Sequence, residues 1–261
     1  EPFYAALKDY AKANGAKSLA IGSDSVAQSE RDIAIGAEAN ARSSPIFSGV
    51  QSKGVAIGNN ASAKGSVSIG DSSYSDYFGV AIGYKAGAEN TTFGSSYSNV
   101  TIGSNTRVGV SGKKAAQGIA IGSGIKPEEG AWAKGDQSIA IGANTIASGD
   151  SSVVIGGDDL DSVAASNATY TKKTFDKNGN QTGTATVTKN LNQLFGDLTG
   201  RGAILNANTT IDGVQYSRWK EAEAGQGAVA LGVKAVSGDI ALAIGTMSEA
   251  RGINSVAIGT G

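Results

Sequence analysis

Apolar residues in this chain recur in a fixed pentad: a small or polar residue, a branched or long aliphatic, a small residue, Ile, then Gly. Ser18-Leu19-Ala20-Ile21-Gly22, Gly54-Val55-Ala56-Ile57-Gly58, Gly118-Ile119-Ala120-Ile121-Gly122 and Ser255-Val256-Ala257-Ile258-Gly259 are four copies. The closing Gly falls at 22, 36, 58, 70, 83, 103, 122, 142, 156, 232, 245 and 259, so the shortest steps are 12 to 14 residues. Two bulky residues separated by one small residue have the period of a β-strand and share one face of it. A second small-residue segment follows each Gly, as in Ala37-Glu38-Ala39-Asn40-Ala41 and Asn59-Asn60-Ala61-Ser62-Ala63. It reads as another short strand, with Gly or Asn at the corners where positive φ is needed. Each unit is thus strand, turn, strand, turn.

The period sets the cross-section. A triangular hexapeptide helix needs about 18 residues per coil, whereas 13 or 14 accommodate only two strands of about five residues and two turns. The expected coil is a flat, two-sheet roll, with Val and Ile of one sheet packed inward against Ala of the other. Twelve coils at ~4.8 Å make a rod on the order of 55 to 60 Å long. A core one side chain deep, under a smooth Ala/Ser-rich exterior, predicts an obligate oligomer, because a lone roll buries too little surface.

The pattern breaks twice. From Gly157 to Gly227 the pentads stop. Ala168 to Phe175 and Thr184 to Thr188 alternate like strands around Asp176-Lys177-Asn178-Gly179-Asn180, and Asn-Gly between such runs signals a hairpin. Leu191 to Leu205 reads as a short helix and turn, and Ile211 to Trp219 as a strand. At the start, Pro2, Phe3, Leu7 and Tyr10 fall at helical spacing before Asn14-Gly15, which predicts a helix capping the solenoid.

Composition narrows the chemistry. The chain has 38 Gly, no Cys and no His, and a net charge of −1 from 22 basic and 23 acidic residues. Disulfides and thiolate zinc are excluded, and the commonest general base and metal ligand are missing. Charges spread along the chain argue against nucleic acid as a partner. No apolar run approaches the roughly 18 to 20 residues of a membrane span. Starting at Glu1-Pro2-Phe3 without Met, the sequence reads as a mature or excised fragment.

A dozen "SVAIG"-type boxes at this period, each followed by a small-residue strand, closely resemble the YadA-like head of trimeric autotransporter adhesins. The resemblance covers Ser18 to Gly156 and Ala228 to Gly261. It implies an all-β fold: a left-handed parallel β-roll, homotrimeric around a common axis. It also implies a place on the surface of a Gram-negative bacterium, at the tip of a stalk with a barrel anchor in the outer membrane. The expected organisation is a helical cap over 1–17, head repeats over 18–156, an insert with a β-hairpin over 157–227, and resumed repeats over 228–261. Asp158-Asp159-Leu160-Asp161-Ser162-Val163 looks like the opening of the family's head-insert motifs.

Adhesion follows as the expected function: multivalent, non-catalytic attachment to host matrix proteins, cells or abiotic surfaces, or between cells in a biofilm, without a cofactor. A spacer holding a binding tip away from the cell is the rival reading. A hexapeptide acyltransferase is disfavoured by the missing His and the wrong period, and an ice-binding solenoid by the lack of a repeating Thr row. Scarce aromatics mark candidate contacts: Tyr74, Tyr77 and Phe78; Trp132; and Tyr216, Arg218, Trp219 and Lys220. Phe93 and Tyr97 form a further loop pair. Each of these has a structural explanation as well, sealing a loop or a protomer boundary. Asp158, Asp159 and Asp161, and Asp176 with Asn178 and Asn180, are read as turn-forming rather than metal-binding. Six Asn-x-Ser/Thr sequons reflect composition more than glycosylation.

Overall fold

The computed structural model describes residues 10–45, 51–88, 97–113, 115–206, 208–211, 213–216 and 220–261. Two parallel sheets of twelve strands each make the roll. The motif wall consists of the pentad triplets, from Leu19–Ile21 through Val55–Ile57 and Ile139–Ile141 to Val256–Ile258. The second wall runs from Lys12–Ala13 through Ser62–Lys64 and Trp132–Ala133 to Glu249–Ala250. Successive coils pair without slippage: Val55, Ala56 and Ile57 stand opposite Val67, Ser68 and Ile69, which stand opposite Val80, Ala81 and Ile82. Strands of two or three residues replace the five expected, because the corners occupy the remainder of the coil.

The interior reverses the expected arrangement. In the motif wall the middle residue points inward: Ala34, Ala56, Ala120, Ala140 and Ala243 are fully buried. The flanking Val and Ile point out, and Ile82, Ile102 and Ile155 are each about two-fifths exposed (38%, 38% and 44%). Facing them across the core lie Ala27, Ala41, Ala63, Ala133, Ala147 and Ala224 of the second wall, also fully buried. Methyl meets methyl in two clusters, each of which takes residues from both walls. The tight corners hold the walls close, so small residues take most of the inward positions, with Val108 and Val154 as branched exceptions.

Each corner after a pentad is a four-residue turn, closed by bonds such as Ala39 N–H to Gly36 O (3.3 Å) and Ala61 N–H to Gly58 O (3.3 Å). The residue two after the Gly is left-handed, as at Glu38, Asn60, Lys85 and Lys234. The Gly itself is needed twice over. At Gly58 φ is +133°, and a Cβ there would lie 2.5 Å from the carbonyl oxygen of Gly70 in the next coil. The recurring Gly therefore marks where coil stacks directly on coil. Ser and Thr at these corners are satisfied locally: the Ser25, Ser73, Thr106 and Thr145 hydroxyls each donate to the Gly oxygen three residues back.

Two long coils are closed by polar side chains at the position before the triplet. Buried Asp32 accepts from the Gly54 N–H, the Ser43 hydroxyl and the Ser29 N–H at 2.8–2.9 Å. Asn99 accepts from the Gly118 N–H and donates to Ala115 O. Each meets backbone groups that a loop would otherwise leave unpaired inside the protein.

The insert leaves the roll without breaking it: Val153–Ile155 pairs with Val229–Leu231, and Thr145–Ala147 with Ala222–Ala224. The second wall has thus already resumed at Ala222. The excursion contains α1 (Asp161–Ala165), a hairpin of Asn167–Phe175 with Gln181–Asn190, α2 (Leu191–Thr199) and a short hairpin of Thr209–Ile211 with Val214–Tyr216. That second hairpin stands where one strand was expected. Leu160, Ala164, Phe195, Ile204, Leu205 and Tyr216 form a small core that closes over Met247 of the roll. Of the terminal helix expected over 1–17, residues 1–9 lie outside the described residues. Lys12–Ala13 is a strand paired with Val26–Ala27.

Candidate functional site

The roll has two outer surfaces of opposite character. On the motif wall the outward residues form two parallel columns of twelve, one led by Leu19, Ile33, Val55 and Val67, the other by Ile21, Ile35, Ile57 and Ile69. Every member is Ile, Val or Leu. Strict register turns the repeated pentad into one uninterrupted apolar face. Monomeric proteins rarely expose so extended a patch unless it is an interaction surface.

The second wall carries polar, charged and aromatic groups outward. Reading along its ladder, Tyr74 is followed by Gly87, Arg107, Trp132, Ile146, Glu223, Val236 and Glu249. Trp132 lies along the wall with its indole N–H donating to Gly109 O at 2.7 Å. The Arg107 guanidinium sits 3.8 Å and the Lys134 ammonium 4.2 Å from its ring centroid. Lys64 repeats the arrangement over Tyr74 at 4.9 Å and also bonds the phenol oxygen. The Asp76 carboxylate lies 3.9 Å from Lys64. Burial holds its pKa above the ordinary value, against the opposing pull of Lys64 and Arg42.

The remaining candidates are scattered. Tyr77 offers its backbone carbonyl to Ser98 N–H, and Phe78 is an exposed corner residue at φ +58°. Tyr216 is buried in the insert core, bonded to Arg201 and near Glu249 of the roll; burial raises its pKa. Lys220 reaches Gln215 O at 3.5 Å. Arg218, Trp219 and Phe93 lie outside the described residues. The structure therefore brings Tyr74 and Trp132 onto one wall, assigns Tyr216 to packing, and leaves Tyr77 and Phe78 at a corner. What the sequence reading missed is the row of cations alternating with the aromatics. Its signal was the Arg or Lys flanking the small-residue strands, as in Asn40-Ala41-Arg42 and Ser62-Ala63-Lys64.

The acidic groups act as turn formers. Asp159 accepts from Asp161 N–H, while Asp176 accepts from the N–H groups of Asn178 and Asn180. Asp158 is buried against the Asn144 amide (2.7 Å), and desolvation raises its pKa. A dimple of about 340 Å³ opens beside it, lined by Lys126, Glu128, Glu129, Asn144 and Glu221. Among the described residues no group of three or more acidic side chains is placed to hold a metal ion, and no helix is long and apolar enough to cross a membrane.

Stacked two-strand coils with an apolar outer wall define a class: a two-walled parallel β-roll. Residues 13–39, 133–158 and 237–261 match the family model described as YadA head domain repeat (2 copies). No curated protein matches the chain. These three stretches of the chain are therefore YadA head repeats, of the kind found in the heads of trimeric autotransporter adhesins.

Proposed function

We propose that the chain is the adhesive head of a bacterial surface fibre, working as a homotrimer of left-handed rolls that bind through their outward surfaces without catalysis. The observation that carries this reading is the continuous Ile/Val/Leu face of the motif wall. Its magnitude supports association. Each inward alanine hides one methyl, worth about 0.8 kcal/mol, whereas each outward Val, Leu or Ile is worth roughly 1.5–3 kcal/mol once fully covered. More apolar burial is thus held in reserve outside the roll than is used within it. Three motif walls turned toward a shared axis would draw on that reserve and leave the second walls facing outward.

Each trimer then presents three identical second walls, so weak single contacts sum by avidity. Matrix proteins, host cells and abiotic surfaces are the partners that such a head engages. Its place is the cell surface, at the end of a stalk anchored in the outer membrane. The test is sedimentation of the purified chain, together with its binding to a panel of matrix proteins and bare plastic. A trimer that attaches to at least one surface supports the reading. A trimer that attaches to none makes the head a spacer, and a stable monomer removes the basis for the assembly.

A further inference from the structure

Basic residues that look dispersed in the sequence are gathered onto one wall by the coil. Counting strands of the second wall from the N-terminal end, Lys12 stands on the first, Arg42 on the third, Lys64 on the fourth, Arg107 on the seventh and Lys134 beside the eighth. Arg42 and Lys64 are direct ladder partners. Seven steps of strand spacing put the five cations along roughly 34 Å. The Asp76 carboxylate lies next to Lys64. Beyond Ile146, Glu223 and Glu249 take the outward positions, and Arg251 beside the last strand is paired with Glu249. The protein as a whole carries −1, so this segregation belongs to the wall and not to the composition.

Four of the five cations are laid against aromatic rings: Lys12 on Tyr10, Lys64 on Tyr74, and Arg107 and Lys134 on Trp132. With 3.8 and 4.2 Å to the same centroid, the Arg107 and Lys134 charges lie within 8.0 Å of each other. The ring that gathers them is itself fixed by its bond to Gly109 O. Lys and Arg ordinarily lose side-chain freedom when they engage an anion, and a cation already stacked loses less. The aromatics on this wall therefore act as supports for charge.

We infer that the N-terminal two-thirds of the second wall is a docking track for a linear polyanionic polysaccharide, sulfated or carboxylated, lying along the stacking axis. This rests on the adhesive-head reading, which turns that wall outward, and it names the ligand class. Charge complementarity selects the occupant, and charge density separates it from nucleic acid. Duplex DNA presents one charge per ~1.7 Å of axis, and its binders neutralise many phosphates at once. Five cations shared between two adjacent columns, Lys12 and Arg107 in one and Arg42, Lys64 and Lys134 in the other, over roughly 34 Å suit a thinner, more sparsely charged chain.

The experiment measures binding of the purified whole chain to immobilised heparin at 50 and 200 mM salt, with neutral dextran and a duplex DNA of similar length as comparisons. Binding should weaken at least tenfold across that salt range, because released counterions drive it. Arg107→Gln with Lys134→Gln should lose at least tenfold in affinity and flatten the salt dependence, while the melting temperature holds. Lys173→Gln with Lys177→Gln, on the insert hairpin, should change nothing. If the first pair fails to fold, Arg42→Gln with Lys64→Gln carries the same expectation. Heparin affinity equal to that for dextran, unchanged affinity in the wall variants, or DNA bound as tightly as heparin would each overturn the inference. Matrix and plastic attachment, measured in parallel, separates the two readings: attachment with no heparin binding sinks the ligand class and leaves adhesion standing.

Discussion

The two walls of the roll share an interior and differ in everything they show to the outside. Inward, both present Ala with occasional Ser, Thr or Val; outward, one shows two unbroken columns of Ile, Val and Leu, the other a mixed row of cations, aromatics and acids. The interior must be uniform because every coil passes through the same narrow gap. The outside is free to specialise. In the function proposed above, the constancy of the pentad and the variability of the second strand correspond to two jobs: association on one wall, recognition on the other.

The largest effect should come from breaking what the walls share. Ala140→Leu places a branched side chain in the gap between them and should cost about 3 kcal/mol, at the upper end for overpacking, read as a fall in the denaturant midpoint. Gly58→Ala should come next, at roughly 1–3 kcal/mol, since its Cβ meets a carbonyl in the next coil at a φ unfavourable to L residues. The same substitution at Gly213, where φ is also positive but nothing lies within 4 Å, isolates the stacking clash from the backbone preference and should cost less.

Other changes separate the walls. Ile121→Asp with Ile141→Asp, on the outer face of the motif wall, should shift the sedimentation profile from oligomer to monomer, because charges facing one another in a shared apolar seam lose their water. Trp132→Ala on the second wall should leave the oligomer intact and lower stability by about 1–2 kcal/mol through lost packing and one hydrogen bond. If it dissociates the oligomer, the division of labour between the walls is wrong.

The smallest effect belongs to the insert. Backbone N–H bonds lower the pKa of Asp176 below its ordinary 3.8. For a depressed carboxylate the ionised form is favoured in the fold. The contribution is therefore complete above the unfolded value and is lost as pH falls through the lower folded one. Amide shifts of Asn178 and Asn180 should stay constant from neutrality to about pH 4 and move below it, while roll resonances in the Ala120–Ala140 region stay still.

Much of this was legible in the chain. Gly spacing gave the number of coils, the missing hexapeptide period gave two walls, and Asn178-Gly179 gave the hairpin. The direction of the side chains was not legible, because period 2 says which residues share a face and never which face is inside. The interior was assigned to Val and Ile on the general rule that bulk goes inward. Corner geometry overrode that rule: four-residue turns bring the walls so close that small groups fill most inward positions, with Val108 and Val154 as exceptions. Nor did the sequence reveal that Met247, with its left-handed backbone, would sit beneath the insert's core.

The sequence alone therefore determined the repeat, the register and the identity of the stacking residues, since these follow from local period and from the conformational freedom of Gly. Only the tertiary structure decided what faces solvent. Lys12, Arg42, Lys64, Arg107 and Lys134 are far apart along the chain, and winding places them on one side because every coil returns the same position to the same wall. A surface of that kind is a property of the closed coil, and no single stretch of the chain contains it.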